Sequence, residues 1–257
     1  MIDPAIELAQ ILAAPLAAGL LALLTHVPLG EQVLRRGIVF IDLAIAQIAA
    51  LGVLIAAGTS ATPQPAWWFG TIAALVGAGV IAWLARLWPE QREALIGLVY
   101  VGGAAAAMLW ISTDPHGAQR LRALLAGDIL WVRADSLGPL TLASGAFIAL
   151  NRWRPQALRH DWVFYPAFAI LISLSVPILG LYLVFAALIA PALGGHHLAT
   201  RLHARPRGLA YLLGTTGLAG GLAASYLLDT PSGPTLVLSL IATAVMSGAL
   251  TAVRLRG

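Results

Sequence analysis

Apolar runs long enough to cross a bilayer recur through the whole of this sequence, and they restrict it to one kind of fold. A helix that crosses the hydrocarbon core needs about 20 mainly apolar residues. Six runs meet that need: Ile6 to Leu24, Ile38 to Ala57, Trp67 to Leu84, Ala94 to Ile111, Leu209 to Leu228 and Thr235 to Val253. Backbone N–H and C=O groups in lipid must be satisfied by the chain itself, so each run is expected to be a helix. A seventh run, Leu137 to Leu150, has only 14 residues and must borrow from its flanks or cross a thinned region.

Composition removes the main rivals. Hydrophobic residues are 60% of the 257 and charged residues 10%, against about 45–50% and about 25% in soluble domains. Soluble enzymes, DNA-binding modules and secreted disulfide scaffolds are thereby set aside. All 15 basic residues are arginines in short connections, a pattern that sets membrane topology rather than binding nucleic acid. Without cysteine, a metal would need His, Asp, Glu or backbone oxygen as ligands. Asp3 and Glu7 open the chain with no basic residue among the first ten, so a cleavable signal peptide is not expected.

The run Trp162 to Leu193 has 32 residues, about 48 Å of helix against a core of about 30 Å. Pro166, Pro177 and Gly180 offer a break, and a turn near Ser175 to Gly180 divides the run into two helices. Residues 1–257 then form a single all-α transmembrane domain of about nine segments. Arg35, Arg36, Arg86, Arg92, Arg152, Arg154, Arg159, Arg201, Arg205, Arg207, Arg254 and Arg256 share one side, and Arg120, Arg122 and Arg133 share the other. By the positive-inside rule the larger group faces the cytoplasm, which puts the N-terminus outside and the C-terminus inside. On the outer side, Leu121 to Val132 is too short to cross and is expected to be an interfacial or re-entrant helix, with Trp131 at headgroup depth. Gly217 and Gly221 make a small-xxx-small pair that serves internal packing or a dimer face.

Few groups carry chemistry. Asp42 is the one carboxylate within a span, and it either caps its helix and pairs with Arg35 or Arg36 or contacts a cation or proton on a translocation path. Gln47 lies five residues on, about 140° around the helix, so the two do not share a face. It is either an interhelical hydrogen-bond partner or a path residue. The six histidines, His26, His116, His160, His196, His197 and His203, fall in loops or at span ends on this reading, and His196 and His197 lack the i, i+4 spacing of a zinc helix. No phosphate-binding GxxxxGK[ST] motif is present, so ATP would have to be used by another chain. Transport is the function such a chain supports.

Several strings, in order, carry a resemblance. Val33 to Gly52, VLRRGIVFIDLAIAQIAALG, is similar to the second-helix signature of the zinc/manganese-type ABC importer permeases, a basic pair followed by an FIGDALSHA-like stretch and a glycine. Glu93 to Leu98 resembles the family's start of the fourth span, Leu124 to Val132 its external LFGNILxV segment, Leu179 to Ala192 its VGxLLVxALLxxPAA segment, and Tyr226 to Thr235 the turn before its last helix. The resemblance implies a homodimeric permease in the bacterial inner membrane that passes zinc, manganese or iron, as ions or complexes, at the dimer interface. It further implies two cytoplasmic ATP-binding subunits and an external solute-binding protein, with no cofactor held by this chain and no catalysis of its own.

Two departures qualify what the resemblance carries over. The family's Asp and His of the second helix fall on Leu43 and Gln47, and neither replaces a carboxylate or an imidazole for a divalent cation. A complexed metal, or an ion passed with few protein ligands, is the expectation. Asp42 and Gln47 are the candidate path residues. The family's ATPase-docking loop corresponds to Asn151 to Asp161, NRWRPQALRHD, which is shorter and lacks the usual glycine. Leu198 to Arg207 is the other docking candidate. Arg154, Gln156, Arg159, His197 and Arg201 are the candidate coupling residues, with an arginine anchor at the lipid headgroups as the plainer reading. The rival function is a gradient-driven secondary transporter of a small solute. Against it stand the scarcity of intramembrane carboxylates and the lack of an inverted repeat.

Overall fold

Every apolar run of the sequence is helical in the computed structural model, which describes residues 4–59, 66–114, 116–127, 129–132 and 134–253. The helices are α1 (Pro4–Arg36), α2 (Ile41–Thr59), α3 (Ala66–Leu87), α4 (Arg92–Ile111), α5 (Gly117–Ala126), α6 (Gly138–Trp153), α7 (Asp161–Leu179), α8 (Leu181–Leu202), α9 (Pro206–Leu228) and α10 (Ser232–Val253). No strand occurs among the described residues. Asp3, Arg133, Arg254 and Arg256, which figured in the sequence reading, lie outside the described residues.

Two boundaries differ from expectation. The first helix does not stop at Leu24 but runs on as one 33-residue helix through Pro28 and Gly30 to Arg36. Proline removes the N–H that would have bonded the carbonyl four residues back, which here is that of Leu24. The Tyr211 hydroxyl of α9 donates to that carbonyl instead, at 3.2 Å. His26 therefore sits inside a helix and is fully buried, with Nδ1 2.8 Å from the Ala22 carbonyl oxygen, and is not the loop residue the sequence suggested. The long run does divide near Gly180, at φ 82, but its halves reach outward to Asp161 and Leu202 and are longer than the apolar stretch alone implied.

Packing follows small residues. In one group α1, α8, α9 and α10 close on glycines: Gly195 lies against Ala210 and the Pro206 carbonyl, Gly214 against Leu23 and Pro191, and Gly217 and Gly221 against Leu240 and Leu236. That pair thus serves packing inside the chain, and Ser239 Oγ donates to the Gly217 carbonyl at 2.7 Å. In the second group α2 packs on α3, α4 and α7, with Gly52 against Phe69 and Ala73 and Gly77 against Ile48. Large apolar side chains left exposed, such as Leu98, Leu109, Leu227 and Leu238, cover the outside of helices long and apolar enough to cross a membrane. This is the surface of a polytopic helical bundle in lipid.

Helix ends meet at two faces. On the first, Arg36 bonds Asp161, Arg207 bonds Glu31, and the Phe40 N–H donates to Glu93, which joins the end of α1 to the starts of α7, α9 and α4. On the second, Trp110 Nε1 donates to the Leu54 carbonyl at 3.1 Å, and Gly127, at φ 66, lies against the Leu179 carbonyl and Gly180. Among the described residues, eight helices are long and apolar enough to cross a membrane. The 16-residue α6 is shorter than these eight and lies, along the chain, between the Gly127 contact and the segment held by Arg36. Its length of about 24 Å explains why its apolar run is short. Between α4 and α6, the short helix is α5, which starts four residues earlier than expected and is followed by a 3₁₀ turn at Ile129–Trp131. Ile129 is fully buried and Trp131 is 81% exposed.

Candidate functional site

α8 supplies one wall of a cleft of about 410 Å³, and α2, α4 and α10 supply the rest. Its lining is apolar apart from two phenols: Leu43, Tyr100, Leu181, Tyr182, Phe185, Ile189, Leu193, Val237 and Ile241 are among the residues that form it. Leu43, which stands where the resemblance puts an Asp, thus opens on the cleft, and a leucine there offers no ligand to a cation.

Asp42 and Gln47 are placed apart. Asp42 lies in the first turn of α2 and is 1% exposed, and its carboxylate has no side-chain partner among the described residues. The positive end of the helix offsets part of the cost of burying it. Its pairing with Arg36, one of the sequence readings, is not found, because Arg36 is engaged by Asp161 at 2.5 Å. Glu93 lies within electrostatic range of Asp42. Gln47, 5% exposed, sits in the contact between α2 and α4 beside Gly103, and its Oε1 has no partner among the described residues. No group of three or more His, Cys, Asp or Glu side chains among the described residues is arranged to hold a metal ion.

The first face carries the candidate coupling residues. The connection from α6 to α7 makes a 3₁₀ turn at Ala157–Arg159, with Leu158 buried beneath it. Arg154, Gln156 and Arg159 are exposed. The Arg154 and Gln156 carbonyls accept the N–H groups of Ala157 and Arg159, at 2.9 and 3.1 Å. Sequence reasoning missed what holds this segment, namely Arg36, which donates to the carbonyls of Leu158 and Arg159. A basic pair gives no hint of which member turns inward. The other candidate segment is mostly helix, since α8 runs to Leu202 and only His203 to Arg205 connect it to α9. His197 is exposed and Arg201 half-buried in the last turns of α8. Arg207, at the start of α9, forks onto Glu31 at 2.6 to 3.2 Å. Both segments are therefore bracketed to the last turns of α1. Beside the second segment, Glu31, Arg35, His196, Arg205 and Arg207 line a basic cavity of about 690 Å³.

Comparison with known proteins agrees with this layout. The sequence profile of the ABC 3 transport family matches residues 7–159 and 154–251. Among solved structures, PsaBC from Streptococcus pneumoniae in complex with Fab superposes with a TM-score of 0.73 over 96% of this chain and 95% of that chain, at 18% sequence identity.

Proposed function

Because this chain belongs to the ABC 3 transport family, we propose that it is the membrane-spanning permease subunit of an ATP-driven importer of metal ions or metal complexes, with zinc, manganese and iron as the candidate metals. The observation that carries this reading is the family match along almost the whole chain. In this reading two copies form the permease, and the apolar cleft beside Leu43 contributes to the passage. Two ATP-binding subunits dock on the arginine-rich face, and an external solute-binding protein delivers the substrate to the face of α5. The arginine-rich face is cytoplasmic, the N-terminus lies outside, and the membrane is the bacterial inner membrane. Hydrolysis belongs to the partner subunits. Asp42 and Gln47 stand on α2 beside Leu43 without forming a ligand pair, and selectivity rests with the binding protein.

Gentle purification of the tagged protein from its native membranes, with identification of what accompanies it and an ATPase assay, tests this. Co-purification of a nucleotide-binding subunit in roughly one-to-one ratio, with hydrolysis that responds to a metal-loaded binding protein, is expected. A protein that comes out alone and inert toward ATP, under conditions that preserve a known ABC complex, would favour the self-contained gradient-driven transporter.

A further inference from the structure

Arg36 is the last residue of α1, before Gly37 turns the chain at φ 64. Its neighbour Arg35 is exposed and lines the basic cavity, whereas the Arg36 side chain is only 15% exposed. Its guanidinium reaches one short stretch of chain more than a hundred residues away. Nη1 donates to Asp161 Oδ1 at 2.5 Å, and Nη2 donates to the carbonyls of Leu158 at 2.8 Å and Arg159 at 3.1 Å. The flat group also lies 4.3 Å from the Phe164 ring centroid. An anchor for lipid headgroups needs a charge in water. A planar fork turned inward onto two backbone carbonyls, a carboxylate and an aromatic face fixes the shape of a backbone.

That backbone has little rigidity of its own. Ala157–Arg159 is a single 3₁₀ turn of three residues, too short to hold its form without outside contacts. From Arg36 the path leads back to the cleft. Four residues on, Phe40 stacks against Phe185 at 6.5 Å between centroids, and Phe185 is part of the cleft wall.

We infer that Arg36 is a positioning residue for energy coupling: it holds the 154–160 segment in the shape that the ATP-binding subunit engages, and makes α1 and Phe40 move with that segment. The inference rests on the proposal that this segment is the docking site.

The test uses the intact transporter in proteoliposomes with its binding protein, and reads uptake of manganese or zinc, whichever the wild type takes up, per ATP hydrolysed. Arg36→Gln is compared with a surface variant, Arg154→Ala with Gln156→Ala, that leaves the clamp in place. Because the chain has no cysteine, a spin label at Gln156→Cys reports the mobility of the segment directly. The expected result is a fall of at least tenfold in uptake per ATP for Arg36→Gln and a mobile label spectrum where the wild type is immobilised. Arg36→Lys, which keeps the charge but not the fork, is expected to behave alike and carries the test if Arg36→Gln fails to reach the membrane. Wild-type coupling in Arg36→Lys would overturn the inference. An uncoupled surface variant beside a fully coupled Arg36→Gln would overturn the clamp and leave the docking proposal standing. Full coupling in both variants would overturn the two together.

Discussion

The phenol of Tyr211 in α9 donates to the Leu24 carbonyl of α1 at 3.2 Å, the carbonyl that Pro28 leaves without its helical donor. One side chain thus repairs the defect of another across a helix interface, which is how prolines are tolerated inside membrane helices. Tyr211→Phe is expected to cost about 1 kcal/mol, seen as a lower midpoint of thermal unfolding in detergent. In a Pro28→Ala background the same change should cost less, because an alanine at position 28 supplies its own N–H. A double-mutant cycle with no coupling between the two sites would contradict this account.

Gly30 offers a test of the neighbouring interface of α1 with α8. A Cβ at this position would run into the Leu188 carbonyl of α8 and press on Ala192. The obstacle is backbone, which has no rotamer to escape into, so Gly30→Ala should destabilise by about 1–3 kcal/mol. Gly79, where a Cβ meets nothing within 4 Å, provides the control: Gly79→Ala should be neutral or slightly stabilising in the same assay.

A buried carboxylate without an ion-pair partner is a cost to the fold. Asp42→Asn should therefore leave stability unchanged or raise it, while Asp161→Asn, which removes the partner of Arg36, should lower it. Unfolding curves of the two variants side by side decide the point. A strong loss of stability in Asp42→Asn would mean that Asp42 has a cationic partner in the assembled transporter.

The cleft beside Leu43 predicts a steric block. Ala186 belongs to its wall, and an indole there takes up much of a space of about 410 Å³. Ala186→Trp should abolish uptake in vesicles while the protein still assembles with its ATP-binding subunits. Unimpaired uptake would place the passage elsewhere.

The ion pair of Arg207 with Glu31 joins α9 to α1 at an exposed site, with side-chain exposures of 44% and 14%. Pairs of this kind contribute little, and salt weakens them further. Arg207→Gln should cost less than about 1 kcal/mol, with the difference from wild type shrinking at 1 M salt. A larger, salt-independent loss would show that the arginine serves another contact.

How much was legible in the sequence depended on which physics each feature obeys. The membrane class, the all-α fold and the break near Gly180 follow from local rules: the length of an apolar run, the satisfaction of backbone polar groups in lipid, the conformational freedom of glycine. Those rules act on contiguous residues, so a single chain displays them. The course of α1 through Pro28 was not legible, because the donor that permits it stands on Tyr211, 187 residues beyond the Leu24 carbonyl it serves. The burial of His26 followed from the same error. Nor could composition tell Arg35 from Arg36, which differ in the structure as an exposed cation and an inward clamp, or Leu43 from Asp42, of which only the first lines the cleft. Adjacent helical residues are about 100° apart, and which of them faces a neighbour is set by where that neighbour packs. The residues of each helix are read from the sequence; the close approach of α1 to α8 and of α2 to α3, through Gly30 and Gly52 against backbone, decides which side chains meet.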